Sequence, residues 1–164
     1  MSVRLRRVNA QPLVINDGKV DITDPCYHRD VWCRINDLDV MPGQYQCYFY
    51  HGNCASWGDR VWILGIEHVD TNLESAKWKR IGEIGVDAGL AGFFNHKPDY
   101  SDEEWDALCI DMDDAMSGTV LNQLYSVYGS HNGFWSQSGC GDGSYFVYAK
   151  RNDDGRIAAL EIRF

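Results

Sequence analysis

The chain has 164 residues, 45% hydrophobic and 13% aromatic, which suits one domain and excludes intrinsic disorder. A formal charge of −9 opposes contact with a phosphate backbone, so direct nucleic-acid binding is not expected. No apolar run reaches about 18 residues, which argues against a membrane span, and no apolar segment follows the basic N-terminus as a secretory signal would require. The expected compartment is therefore the cytoplasm, where the six cysteines stay reduced.

No linker or composition break divides the chain, so residues 1–164 read as a single domain, with residues 1–10 a basic, loosely ordered segment around Arg4, Arg6 and Arg7. Leu13 to Ile15, the turn Asn16-Asp17-Gly18, and Lys19 to Thr23 read as a first hairpin. Asp24-Pro25 stops its second strand, because proline cannot donate to a ladder. After the Pro42-Gly43 turn, Gln44 to Tyr50 alternates, with Tyr45, Cys47 and Phe49 on one face. Val61 to His68 alternates again, with Trp62, Leu64 and Ile66 together. Ile81 to Val86 is a strand whose Gly82 and Gly85 signal a bulge or the close approach of another backbone.

A helix is predicted over 102–115. Ser101 and Glu104 form a capping box, and Trp105, Leu108, Cys109 and Met112 fall on one stripe. Thr119 to Tyr128 fits either a short helix or a strand. The tail is the clearest hairpin: Tyr145, Val147 and Ala149 on one face, the Asn152-Asp153-Asp154-Gly155 turn, then an apolar strand to Phe164 expected inside the sheet. The fold class is mainly β (α+β), with antiparallel sheets in a sandwich or partly open barrel and one amphipathic helix.

Asp24, Asp87 and Asp142 each mark a strand end flanked by glycine or proline. If these ends share a rim, the carboxylates would supply the clustered oxygens a divalent cation needs, with His28 or His131 as a base. The competing reading is that each aspartate bonds its own local backbone in a turn. Cys26 and Cys33 repeat the spacing of Cys47 and Cys54, with His28 and His51 inside the two segments, but this departs from the short gaps of structural zinc. Tyr27, Trp57, Arg60, Trp135 and Tyr145 are the candidate ligand-binding set, aromatic walls around one cation.

From Asp99 to Asp114 eight carboxylates occur without a basic residue, and Asp102, Glu103, Asp106, Asp113 and Asp114 are the candidate partner surface. The plainer reading is a solvated helix face. Walker, Gly-x-Ser-x-Gly, His-Glu-x-x-His and Cys-x-x-Cys motifs are absent from the sequence, and Cys140 near His131 is the leading candidate for a nucleophile and base.

In order, the chain carries Asp24-Pro25-Cys26-Tyr27, Trp57-Gly58-Asp59-Arg60-Val61, Gly85-Val86-Asp87-Ala88-Gly89 and Gly141-Asp142-Gly143-Ser144-Tyr145. With these motifs it resembles a family of bacterial and phage proteins known as a domain of unknown function, over roughly residues 15 to 164. The last motif is the most specific, and Gly139-Cys140 stands where the family pattern has a tryptophan. The resemblance implies the β-rich fold and no particular reaction.

The expected function is a non-enzymatic binding or interaction domain that holds a protein or small-molecule ligand without a cofactor. Its phage version is host interaction or anti-defence. The alternative is a metal-dependent, hydrolase-like enzyme using Asp24, Asp87 and Asp142.

Overall fold

The computed structural model describes residues 4–115, 124–128 and 131–164, with side chains described outside residues 111–132. Among the described residues the chain forms β1 (Arg6–Ile15), β2 (Lys19–Thr23), β3 (Ile35–Asp39), β4 (Gly43–Asn53), β5 (Asp59–His68), β6 (Lys79–Val86) and β7 (Leu90–Phe94). These are followed by α1 (Asp102–Ala115), β8 (Leu124–Tyr128), β9 (His131–Gln137), β10 (Gly143–Arg151) and β11 (Ile157–Arg163). All the pairings are antiparallel. The strands make a six-stranded sheet, β1-β4-β5-β11-β10-β6, and a five-stranded sheet, β3-β2-β7-β9-β8, and neither closes into a barrel.

The inner faces of both sheets share one core. Leu13, Tyr45, Cys47, Phe49, Leu64, Leu160 and Ile162 of the larger sheet meet Val20, Ile22, Phe93 and Phe134 of the smaller. Alternation then sends Phe94 and Trp135 to the outer face of the smaller sheet, where Tyr100, Leu108 and Trp105 cover them. The capping box forms as expected: the Glu104 amide donates to Ser101 Oγ at 3.2 Å, and the Ser101 amide donates to Glu104 Oε2 at 2.8 Å. The result is sheet on sheet, with α1 as a partial third layer. No helix among the described residues is long and apolar enough to cross a membrane.

Three expectations change. The first hairpin does not form, because β1 pairs with β4 while β2 pairs with β3 and β7. The Asn16-Asp17-Gly18 turn is real, with Gly18 at φ 70°, but it carries the chain from one sheet to the other. A side chain at Gly18 would also press on the Val40 carbonyl at 2.7 Å. The basic N-terminal segment is ordered from Arg6 onward as edge strand β1. Trp62 leaves the face of Leu64 and Ile66, since the β4–β5 ladder shifts register between Tyr50 and His51. Val61 takes the core position, and the Trp62 indole donates to the Gly52 carbonyl at 3.2 Å.

The closing hairpin is as expected. β11 lies between β10 and β5 and is buried along Ile157 to Ile162. Gly85 meets another segment as anticipated: its amide donates to the Cys33 carbonyl at 2.8 Å, and a Cβ there would lie 2.7 Å from Cys33 Sγ.

Candidate functional site

The three aspartate-bearing strand ends do meet on one rim. The end of β2 is bonded to the β6–β7 connection through Asp24, and the Ser138 amide donates to the Gly89 carbonyl at 2.9 Å. Asp142 Oδ1 lies 3.8 Å from where a Cβ on Gly89 would sit. The carboxylates nevertheless do not converge. Asp24 is fully buried and points at backbone: Oδ1 accepts the Cys26 amide at 2.9 Å, and Oδ2 accepts the amides of Asp87 at 2.9 Å and Ala88 at 2.7 Å. Burial raises its pKa, against the pull of those amides. Asp87 and Asp142 are exposed.

Among the described residues no three His, Cys, Asp or Glu side chains are grouped to hold a metal. The expected cation site is therefore corrected to an amide clamp built on Asp24. The paired cysteine segments likewise do not assemble: Cys47 is in the core and Cys54 lies beside Cys140. The His131 side chain is outside the described residues.

Beneath segment 24–34 lies a buried ionic network with no counterpart in the sequence reading. Asp21, on β2 between the core residues Val20 and Ile22, is buried; Oδ1 accepts the Asp37 amide at 2.9 Å and Oδ2 the Lys97 amide at 3.0 Å. Arg34 Nη2 stands 3.6 Å from Asp21 Oδ2, while Nη1 donates to the Tyr27 carbonyl at 2.8 Å. Lys97 Nζ donates to the carbonyls of Tyr27 at 3.1 Å and Pro98 at 2.7 Å. Burial, reinforced by Arg34, pulls the Lys97 pKa down to about 8. A charged residue inside an apolar strand was the available signal for Asp21, since aspartate is depleted in strands.

This network holds the 24–34 segment in place. The Arg29 amide donates to Asp99 Oδ1 at 2.8 Å, His28 Nε2 to the Tyr100 carbonyl at 3.0 Å, and Asn36 Nδ2 to the Arg29 carbonyl at 3.0 Å. Arg29 also pairs with Asp37. At the tip, Trp32 is 92% exposed, more than any other large hydrophobic side chain among the described residues. The tip is bonded to the segment that leads into α1, whose Asp102, Glu103 and Asp106 are exposed, as is Asp30. Asp113 and Asp114, the rest of the expected acidic surface, have side chains outside the described residues.

The expected ligand-binding set divides. Trp135 is fully buried, its ring stacked on Phe94 at 5.1 Å beneath α1, so it is core rather than a ligand wall. Tyr27 belongs to the 24–34 segment, its hydroxyl near Gly85. Trp57, Arg60 and Tyr145 do gather, around residues 138–141. Arg60 Nε donates to the Gly139 carbonyl at 2.5 Å, with its guanidinium 5.8 Å from the Trp57 ring, and the Tyr145 hydroxyl donates to the Gly141 carbonyl at 2.6 Å. A cavity of about 170 Å³ lies elsewhere, lined by Lys77, Lys79, Ile81, Ala149 and Arg151, below the roughly 300 Å³ of small-molecule sites. Compared with known protein families, curated proteins and solved structures, the chain has no match.

Proposed function

We propose that this protein is a non-enzymatic binding domain that presents a pre-organised aromatic and acidic face, centred on Trp32, to a protein partner. The observation that carries this reading is the 92% exposure of Trp32 on a segment fixed by the Asp24 clamp and the Arg29, His28 and Asn36 bonds. An indole is a strong anchor because it removes a large apolar area from water. A tip already ordered in the free protein loses little entropy on docking. Asp30 lies two residues from the anchor, and the segment that bonds to His28 and Arg29 leads into α1 with its exposed Asp102, Glu103 and Asp106, so the proposed face is acidic and favours a partner offering an apolar slot rimmed by Lys and Arg. The resemblance to bacterial and phage proteins makes a host protein, in an interaction or anti-defence role, the favoured partner.

The test is quantitative capture from bacterial lysate with the wild type, Trp32→Ala, and a triple reversal of Asp102, Glu103 and Asp106 to Lys. Trp32→Ala is expected to lose about 2 kcal/mol, roughly 30-fold in affinity, with an unchanged melting temperature. The triple reversal is expected to slow association and to invert its salt dependence, because added salt then screens a repulsion rather than an attraction. Equal capture by Trp32→Ala refutes the proposal.

A further inference from the structure

The cysteines are not equivalent. Cys47 is sealed in the core, and Cys26 sits beside Asp24, where burial and the neighbouring carboxylate push its thiol pKa up. Cys54 and Cys140 lie 86 positions apart in sequence, yet their sulfurs are 2.9 Å apart. Ordinary non-bonded contacts between heavy atoms are about 3.5–4.0 Å, and a disulfide is about 2.05 Å. Both partners are held independently of each other. Cys54 caps the short 3₁₀ turn Ala55–Trp57, its amide bonded to the Gly58 carbonyl at 2.7 Å and its carbonyl to the Trp57 amide at 2.9 Å. Cys140 rides on a turn fixed by the Gly141 amide to Ser138 carbonyl bond, by Tyr145 and by Arg60. Cys140 is exposed and Cys54 half-buried, so a small oxidant reaches the pair from solvent.

We propose that Cys54 and Cys140 form a reversible intramolecular disulfide by exchange with a low-molecular-weight disulfide such as oxidised glutathione, fastening the Trp57-bearing turn to the turn that leads into β10. The exposed Cys140 thiolate attacks one sulfur of the small disulfide, and the other sulfur leaves as a thiolate. The Cys54 thiolate then attacks Cys140 Sγ of the mixed disulfide and expels the second small thiolate. The two protons lost by the protein end on the two released thiols, and two electrons pass from the protein sulfurs to the oxidant. The neighbouring Cys140 thiol and burial hold the Cys54 pKa above its ordinary value, with Arg60 a smaller opposing pull, which suits Cys54 to the second, intramolecular step rather than the first. Reduction by excess small thiol runs the same steps backwards.

The test is incubation of the purified protein in glutathione redox buffers, followed by peptide mapping without reduction and thermal melts. The expected products are one linked peptide pair containing Cys54 and Cys140, a loss of two hydrogens in mass, and four titratable thiols from the original six after denaturation. The melting temperature of the oxidised form is expected to rise by about 10 °C, because the bond closes a long loop of the unfolded chain. Cys54→Ser and Cys140→Ser each remove the linked peptide and the shift while keeping the reduced wild-type melting temperature. Bridges to other cysteines, a glutathione adduct that stops at Cys140, or an oxidised form that melts no higher would each overturn the proposal.

Discussion

Replacing Asp24 separates an amide clamp from a metal ligand. Its carboxylate accepts three backbone amides, those of Cys26, Asp87 and Ala88. Asp24→Ala removes the acceptor of all three. A bond to a charged group contributes about 1.5–3 kcal/mol, and an unmet buried donor costs a similar amount. Asp87 and Ala88 sit on an exposed connection, so water reaches their amides and the lower end of that range applies. Relief from burying a carboxylate offsets part of the loss. The net cost for alanine is about 3 kcal/mol, a large share of the 5–15 kcal/mol typical of a domain. Asp24→Asn keeps the acceptor toward Asp87 and Ala88 but turns an NH₂ toward the Cys26 amide, for about 1–2 kcal/mol. Urea unfolding measures the order wild type, Asn, Ala, with a constant slope on denaturant. Hydrogen exchange should accelerate at residues 26, 87 and 88. An alanine variant within 0.5 kcal/mol of wild type, or a loss of stability seen only with divalent ions present, refutes the clamp.

The remaining predictions concern the ionic network and the larger sheet. Lys97 has its pKa lowered from 10.5 to about 8, so between these values the folded state binds fewer protons than the unfolded, and stability rises with pH across that window. The shift corresponds to about 3 kcal/mol. The stability of wild type relative to Lys97→Met should therefore rise by about that much from pH 8 to 10.5, measured by urea midpoints; a constant difference refutes the assignment. On β5, a Cβ at Gly65 would lie 2.3 Å from Tyr48 Cζ, and Tyr48 is buried with its hydroxyl donating to Glu161 Oε1 at 2.8 Å. Gly65→Ala is expected to cost about 1–3 kcal/mol, seen as a lowered thermal midpoint; an unchanged midpoint counts against that packing.

Local signals were readable wherever structure is local. The Ser101/Glu104 box, the helix over 102–115 and the closing hairpin are fixed by neighbours a few residues apart. Their chemistry lies on the page of the sequence. The candidate site was legible in part. The strand ends carrying Asp24, Asp87 and Asp142 share a rim, but whether a carboxylate faces water or backbone depends on which loop lies against it. Trp32 was missed for a related reason: a lone tryptophan between Val31 and Cys33 gives no sign of its exposure. Trp135 erred the other way, because the helix that buries it contributes residues about 30 positions earlier.

The sequence by itself determined a β-rich class, the helix over 102–115, a last strand inside its sheet and the positions of several turns. Those follow from hydrophobic period and from backbone preferences at Asp, Asn, Gly and Pro, which act over a few residues. Tertiary structure alone decided which sheet each strand joined. Asn16-Asp17-Gly18 suits a hairpin and a crossing between sheets equally well, and partners for β1 and β2 far along the chain chose the crossing. It also decided that Asp24 would clamp three amides and that Cys54 would meet Cys140. Such contacts are set by packing two sheets face to face, and no local preference encodes them.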